Sequence, residues 1–423
     1  MPKRQNGIAP EFFPLTKKEE DRATSIFLAV FLNVYEFRKA LMATLNRNAK
    51  KSGRDVEAFL HPSFGGKYSE TDIPDGLIIH SKRDEIWEAS IEVKIKSSEL
   101  GLPQIEKYLK RCVEFGSDAL ITISNEMCIS PSRPPLRLKT SDKKLQRITH
   151  YHWSWTFIHF QAEQLLLDGK IGDETQRTVL EQFKNFLANP ISGAKGFKSM
   201  GPNYTRLVED LRAKVSPMQE HLEEAVADWH QESAEISLIL SRCLNIRVNQ
   251  IIEKNRSSSA EARLEKDVRD LLKTGDLKAS FDIQDRGKPL SVTLEVDQRV
   301  LRIEKEFDLT DRVKTPHKKI EYFLKRFHDP DAGDNSGQHE GIYIHASWPY
   351  LKGWTSTTLF DAIQDMVNDD LSKNKLINPD KDSIQSIKLS YIPPKVGGKI
   401  SSRKKVIELL EASVDHFCKR YVQ

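Results

Sequence analysis

Residues 86–96 read IWEASIEVKIK, and this stretch decides how the first third of the chain is interpreted. Side chains alternate between the two faces of a β-strand. One face then carries the apolar Ile91 and Val93, and the other carries Glu92 and Lys94. A row of charges at the edge of a core is costly unless something compensates for its lost hydration. A bound cation would compensate in this way.

The preceding stretch supplies a second carboxylate. Residues 76–80 (GLIIH) predict a strand that begins directly after Asp75, and the polar residues 81–85 predict the turn between the two strands. Pairing these strands would bring Asp75 beside Glu92. Two converging carboxylates can hold a hard divalent cation such as Mg²⁺, and a nearby lysine can position the attacking water or stabilise charge that develops on a phosphorane.

This arrangement resembles a known nuclease signature. Pro74-Asp75, sixteen intervening residues and then Glu92-Val93-Lys94 resemble the motif of the PD-(D/E)XK superfamily, which has the restriction-endonuclease-like fold. A helix predicted from about Pro103 to Phe115 carries a Gln and a Tyr four residues apart, which resembles the QxxxY element of some branches. The resemblance covers residues 16–165, and residues 205–423 resemble no family that we can name.

The resemblance implies a set of site residues. It implies catalytic roles for Asp75, Glu92, Lys94, Gln104 and Tyr108, with Mg²⁺ as the cofactor and Mn²⁺ as its substitute. A glutamate on the first helix often joins the metal site in this superfamily, and Glu20 resembles that residue. The expected metal ligands are therefore Asp75, Glu92 and Glu20.

The implied activity is hydrolysis of phosphodiester bonds in DNA, with RNA or a particular nucleic-acid structure as the alternative substrate. Because cutting both strands usually takes two sites, a homodimer or higher homo-oligomer is a possible arrangement. Restriction-like nucleases with large appendages are frequent among bacterial and phage-defence effectors, which is an analogy at superfamily level only. A second hypothesis is a catalytically silent nucleic-acid-binding or scaffold subunit that retains the nuclease fold.

Each of these residues also has a structural interpretation. Asp75 precedes a glycine and can be a turn residue. Glu92 and Lys94 can form ion pairs on a solvated strand face. Glu20 lies in a first helical turn, where the helix dipole favours an acid. Gln104 and Tyr108 can serve only the fold.

The composition limits the class of protein. The chain has 423 residues with a formal net charge of +4, so its overall charge does not demand a polyanionic partner. Its four cysteines form no CxxC pair, which argues against a cysteine-ligated zinc site and favours a reducing compartment, so a cytoplasmic location is expected. The sequence shows neither a signal peptide nor an apolar run long enough to span a bilayer, and no membrane partner is expected.

The pattern of helices and strands predicts the domain organisation. A helix beginning with a capping box at Thr16 is expected to run to about Asn48, and the order of elements after it indicates an α/β core: a mixed sheet flanked by helices. We expect a nuclease-like domain over residues 1–190, a linker and helical section over 191–275, and a separate α/β domain over 276–423. This last domain is a candidate sensor, recognition or oligomerisation module, with an unidentified partner protein or ligand.

Two other clusters carry alternative interpretations. The proline-rich stretch 131–147 has six basic residues and is interpreted either as a solvated loop or as an arm that contacts phosphates, and a similar choice applies to the basic helix near 314–326. His150, His152 and His159 cluster with tryptophans. Their spacing fits no standard zinc ligand set, so they are expected to belong to an aromatic core.

Overall fold

The computed structural model describes residues 7–62, 73–83, 85–96, 100–126, 128, 130–136, 138, 140–194, 197–253, 260–283, 287–309, 312–328 and 339–422. The chain folds into two compact units, residues 1–197 and residues 198–423. Each unit is described by itself. No helix within the described ranges combines the length and the apolar content that crossing a membrane requires.

The first unit is a mixed α/β fold with one five-stranded sheet. Its elements are α1 (Glu19–Asn33), α2 (Tyr35–Ala43), β1 (Val56–Leu60), β2 (Gly76–Lys82), β3 (Glu85–Val93), α3 (Leu102–Phe115), β4 (Ala119–Ser124), α4 (Lys143–Gln146), β5 (Thr149–Ser154), α5 (Trp155–Leu167) and α6 (Glu174–Ala188). The strand order is β1-β2-β3-β4-β5. The first three strands pair antiparallel, and β3, β4 and β5 pair parallel.

Helices cover both faces of this sheet. On one face, α1, α2, α5 and α6 share a large apolar cluster with Ile91 and Val93 of β3, in which Phe27 contacts the rings of Trp153 and Trp155. On the other face, α3 and α4 share a smaller cluster around Leu109. The expectation of a mixed sheet flanked by helices is confirmed.

The prediction of one long N-terminal helix is wrong. The first helix begins at Glu19, and Lys18 at its N-cap makes no side-chain capping hydrogen bond, so the capping box predicted at Thr16 does not form. The helix is interrupted at Val34, whose backbone is extended (φ −107°, ψ 105°), and α2 starts at the next residue.

Side chains elsewhere stabilise this interruption. The buried Arg38 guanidinium donates to the Leu32 carbonyl at 2.5 Å, and the Tyr35 N–H donates to Gln176 Oε1 at 2.9 Å. A break in a helix leaves backbone groups without helical partners, and these contacts satisfy two of them. The break therefore depends on Gln176, a residue 141 positions away, which local sequence patterns do not reveal.

Several other predicted elements of the first unit are confirmed. Helix α3 ends at Phe115, and Gly116 follows it in the left-handed conformation (φ 77°). Strands β2 and β3 lie close to the predicted ranges 76–80 and 86–96. Strands β1 and β5 were not predicted, and β5 runs through the histidine and tryptophan cluster. Asp84 in the predicted turn, and Arg137 and Lys139 in the basic stretch, lie outside the described residues.

The second unit contains an antiparallel sheet of seven strands. Its elements are α7 (Tyr204–Arg212), α8 (Gln219–Leu244), β6 (Val248–Gln250), α9 (Ala260–Thr274), β7 (Asp276–Ile283), β8 (Leu290–Glu295), β9 (Val300–Phe307), α10 (Pro316–Leu324), β10 (Ile342–Ser347), β11 (Trp354–Thr358), α11 (Leu359–Val367), β12 (Ser386–Tyr391), α12 (Gly397–Ile400) and α13 (Arg403–Phe417). The strand order is β11-β10-β12-β9-β8-β7-β6.

The predicted helical section packs on this sheet. The α8 residue Trp229 is buried, and its indole N–H donates to the Lys278 carbonyl of β7 at 3.1 Å. Both α8 and α9 contact β7. Residues 198–275 thus belong to the same compact unit as the second sheet, and the three-part division of the chain stays a prediction.

A buried carboxyl group in α8 has no hydrogen-bond partner among the described residues. Glu232 is 0% exposed, and neither of its side-chain oxygens is satisfied. Burial raises the pKa of Glu232 well above its ordinary value, and the nearby Glu411 and Glu235 raise it further. The folded protein therefore favours the protonated form of Glu232, whereas the unfolded chain loses this proton at a lower pH.

We predict that Glu232→Met stabilises the protein. A buried unsatisfied polar group costs about 1–3 kcal/mol, and methionine fills a similar volume without polar oxygens. Because the folded-state pKa is raised, the wild-type protein loses stability as the pH rises above the ordinary glutamate value. The increase in the free energy of unfolding in Glu232→Met should therefore be larger at pH 8 than at pH 5. Urea-induced unfolding at both pH values measures it.

Glu220→Met is the matched control for this comparison. Glu220 is an exposed residue in the first turn of the same helix, so its replacement should change the free energy of unfolding by no more than about 0.5 kcal/mol. A loss of stability in Glu232→Met at both pH values would show that the carboxyl group has a stabilising partner.

Candidate active site

Strand register brings the predicted carboxylates together. Gly76 of β2 lies opposite Ile91 of β3, so the residue before Gly76 lies next to the residue after Ile91. These two residues are Asp75 and Glu92. The Asp75 carboxylate accepts a hydrogen bond from the Val93 N–H at 2.8 Å, which holds it against β3.

Asp75 is electrostatically unfavourable as an anion in this position. Burial, followed by the negative charge of Glu92, raises the pKa of Asp75 to about 8, although the Val93 hydrogen bond and Lys94 act in the opposite direction. Burial contributes most to this shift, and the charge of Lys94 does not offset it. A second cation at this position would restore its ordinary ionisation.

Glu92 is almost completely buried, with 3% of its surface exposed. Its Oε1 accepts hydrogen bonds from the Lys94 ammonium at 2.8 Å and from the Tyr108 hydroxyl at 2.5 Å. Burial raises the pKa of Glu92 despite these two donors. Burial, followed by the negative charge of Glu92, raises the pKa of the Tyr108 hydroxyl, so Tyr108 stays protonated and remains a hydrogen-bond donor.

Lys94 links two carboxylates. Its Nζ lies 2.8 Å from Glu92 Oε1 and 3.5 Å from Glu20 Oε2 at the start of α1. Burial alone would lower the pKa of Lys94, but Glu92, Asp75 and Glu20 together more than offset this, and the pKa is raised. Lys94 is therefore a firmly charged ammonium group in this arrangement.

Backbone contacts fix the position of Lys94. Its N–H donates to the Ile123 carbonyl of β4 at 2.7 Å, and its carbonyl accepts from the Trp155 indole N–H at 3.0 Å. Trp155 is buried at the start of α5. Sequence analysis did not assign Trp155 a place at the site, because its partner is a backbone atom 61 residues away.

Gln104 has a different local role from Tyr108. Its side-chain Oε1 accepts a hydrogen bond from the Gly101 N–H at 3.2 Å, which satisfies a backbone donor at the start of α3. Gln104 is exposed, whereas Tyr108, one turn later, reaches Glu92. The contacts thus bring Tyr108 to the carboxylates and leave Gln104 at the helix end, and a catalytic role for Gln104 stays a prediction.

His61 lies at the rim of the site and was missed by the sequence analysis. Its backbone N–H donates to the Asp75 carbonyl at 3.2 Å, and its Nε2 lies 3.6 Å from Asp21 Oδ1, next to Glu20. Its backbone has a positive φ of 42°, which is uncommon for a residue other than glycine. The sequence carries no motif around His61, because its proximity arises from the pairing of β1 with β2.

The other histidine cluster is structural. His150 and His152 both bond to the Thr122 hydroxyl, at 3.0 and 2.9 Å, and His152 also contacts the Glu126 carbonyl. Burial lowers the pKa of His152 to about 4, so it is neutral. These bonds occupy both of its ring nitrogens.

The donor set has the chemistry to hold a hard divalent cation. Asp75 and Glu92 are adjacent carboxyl groups, and burial raises the pKa of both. Mg²⁺ prefers such oxygen donors. In the present arrangement, however, no three His, Cys, Asp or Glu side chains of the described residues are grouped so that they could hold a metal ion. The Glu20 carboxylate contacts Lys94, so its role as a third ligand stays a prediction.

The comparisons with known proteins identify no relative: no family, no curated protein and no solved structure matches the chain.

We predict that Asp75→Asn stabilises the protein in the absence of divalent cations. The amide can keep the hydrogen bond from Val93 and removes a carboxyl group whose folded-state pKa is raised to about 8. A raised folded-state pKa means that the wild-type protein loses stability as the pH rises from the ordinary aspartate value to about 8. The increase in melting temperature measured in EDTA should therefore be larger at pH 8.5 than at pH 5.

Asp173→Asn is the matched control. Asp173 is an exposed N-cap that accepts from the Gln176 N–H, and asparagine caps a helix about as well as aspartate. Its melting temperature should follow that of the wild type at both pH values. Equal shifts in both variants, or none in Asp75→Asn, would contradict the assigned electrostatics of Asp75.

Proposed function

We propose that the first unit is a metal-dependent nuclease with a restriction-endonuclease-like fold, and that it hydrolyses phosphodiester bonds of DNA. The observation that carries the proposal is the convergence of Asp75, directly before β2, with Glu92 and Lys94 at the end of β3. Tyr108 from α3 and Glu20 from α1 join them. All five were candidates from the sequence. Such groups at one edge of a sheet supply both metal ligands and a cation for a phosphate.

The topology of the sheet supports this proposal. The antiparallel pairing of β2 with β3 and the parallel pairing of β3 with β4 place the carboxyl end of β3 beside the start of β2. Ligand sites in α/β sheets commonly lie at the carboxyl ends of parallel strands. Helices pack on both faces of the sheet, and precise phosphoryl chemistry is best supported by such packed elements.

Each side chain has a distinct role in the proposed reaction. Asp75 and Glu92 would hold the Mg²⁺ or Mn²⁺ ion, which when bound supplies a Lewis acid and lowers the pKa of a coordinated water. Lys94, which stays charged beside Glu92, would orient the attacking water or stabilise the charge that develops on the phosphate oxygens. Tyr108 would hold the Glu92 carboxylate in one orientation through its short hydrogen bond.

Exposed basic residues on the helices that cover one face of the sheet agree with a nucleic-acid substrate. Helix α4, which contacts α3, carries the exposed Lys143 and Lys144 and is followed by the exposed Arg147. Arg147 and α4 lie toward the amino ends of β4 and β5, at the other end of the sheet from Glu92. Lys107 is exposed on α3, one residue before Tyr108. Basic side chains at such positions supply sequence-independent affinity for the phosphate backbone.

Cleavage of supercoiled plasmid and linear DNA tests the proposal. We expect cleavage with Mg²⁺ or Mn²⁺ and none in EDTA, and a loss of about 100-fold or more in Asp75→Ala, Glu92→Gln and Lys94→Ala. Glu88→Gln is the control, because Glu88 lies on the same strand outside the converging groups and should leave the rate unchanged. Competition by RNA of the same sequence distinguishes a DNase from an RNase.

Nucleic-acid binding without cleavage would support the silent-subunit hypothesis instead. Calorimetric titration of Mg²⁺ into wild-type protein and Asp75→Asn provides a readout apart from activity. Unchanged cleavage in Asp75→Ala and Lys94→Ala would overturn the assignment of the site.

Tyr108→Phe should have a smaller effect of a different kind. Losing a hydrogen bond to a charged group corresponds to about 1.5–3 kcal/mol, so a fall in kcat of about 10- to 100-fold is expected with little change in KM. The pH at which the activity rises should also shift, because Glu92 loses a donor that lowers its pKa. An unchanged rate and pH profile would show that Tyr108 serves only the fold.

A further inference from the structure

An apolar groove lies between α1 and α6 in the first unit, apart from the candidate active site. It has a volume of about 810 Å³ and is lined by apolar side chains that include Phe12, Ile26, Val179, Phe183 and Phe186. Small-molecule sites typically enclose about 300–1,000 Å³ and are mostly apolar with a few polar groups. The groove therefore has the size and the chemistry of a ligand site.

One cation lies among these apolar side chains. Arg22 of α1 lines the groove and is only partly exposed. Across the described part of the chain, its guanidinium group makes neither an ion pair nor a hydrogen bond with an acidic side chain. The other polar side chains at the groove, including Gln182 and Asn185, are neutral. A partly desolvated guanidinium without a counter-ion favours a carboxylate, which it can bind with two parallel hydrogen bonds.

We propose that this groove binds a small amphipathic acid. Its apolar body would lie against Phe183 and Phe186, and its carboxylate would pair with Arg22. The proposal does not depend on the nuclease activity, because it uses none of the residues that hold the proposed metal or contact the phosphate.

Charge complementarity favours this occupant over a second copy of the chain. The rim carries exposed apolar side chains, with Phe13 at 89% exposure and Ile191 at 68%, which could suit a protein partner. A symmetric dimer, however, would bring the same surface from both copies together. Among the described residues, the lining of this surface contains Arg22 and no aspartate or glutamate, so such a dimer would bury two arginines without a counter-ion from that lining.

Calorimetric titration with decanoate and with 1-decanol tests the proposal on the full chain. Both probes have the same alkyl body, and only decanoate carries a charge. We expect decanoate to bind at least about tenfold more tightly than decanol, which is the magnitude of one charge-assisted pair. Arg22→Gln should abolish this preference and leave decanol binding unchanged.

Two further variants sharpen the test. Val179→Trp places a large ring inside the groove and should prevent binding of both probes. Arg177→Gln changes an exposed arginine of α6 that pairs with Glu181 and should leave both affinities unchanged. Circular dichroism and melting temperature establish that each variant is folded.

Three results would overturn the proposal. The first is decanoate binding that is no tighter than decanol binding, and the second is an undiminished decanoate preference in Arg22→Gln. The third is a concentration-dependent dimer in sedimentation, lost in Phe13→Ser, in a protein that binds neither probe. Because binding is measured directly, a failed cleavage assay would not affect any of these results.

Discussion

The ion pair between Lys94 and Glu92, with Nζ and Oε1 2.8 Å apart, lies at the carboxyl end of β3, the central strand of the mixed sheet. Glu92 is nearly inaccessible to water, so the ammonium and the Tyr108 hydroxyl replace its hydration shell. Removing one partner of a buried pair costs about 3–5 kcal/mol, because the other charge remains buried. The neighbouring contacts, from the Trp155 indole to the Val93 N–H, keep this pair and Asp75 in one geometry. The arrangement of the candidate site depends on that geometry.

The sheet determines where this pair can exist. Adjacent residues of a strand face opposite sides, so a slip of one residue in β3 would turn Glu92 and Lys94 into the apolar cluster beneath α1. Ile91 and Val93 prevent such a slip, since they fill that cluster. The same register places Asp75 next to Glu92, and the mutual repulsion of these carboxylates is part of the reason for the high pKa of Asp75. The fold thus keeps two carboxyl groups side by side in a buried position, which lowers stability at pH values where Asp75 is ionised and no metal ion is bound.

The sequence predicts the parts of the site that follow from alternation along one strand and from helical spacing. Glu92 and Lys94 share a strand face, and Tyr108 lies on the helix that follows, so simple periodicity finds them. Contacts between distant elements escape such analysis. His61 and Trp155 reach the site through strand pairing and through a backbone carbonyl, and the break at Val34 depends on Gln176. Strand β5 was missed because its alternating histidines look polar, although a hydroxyl on β4 satisfies two of them.

Helix α1 carries both Glu20, which contacts Lys94, and Arg22, which lines the apolar groove. The presence of Glu20 and Arg22 on one helix does not by itself mean that binding in the groove affects the candidate active site. An occupant of the groove shifts the geometry at Glu20 only if it binds one of two positions of α1 more tightly than the other. The helix is anchored by Phe27 and Phe31 in the large apolar cluster, and packed cores resist gradual deformation. Coupling between the groove and Glu20 would therefore require a discrete second position of the first turn of α1. Glu20 lies in that turn, outside the large apolar cluster, and its oxygen is 3.5 Å from the Lys94 ammonium.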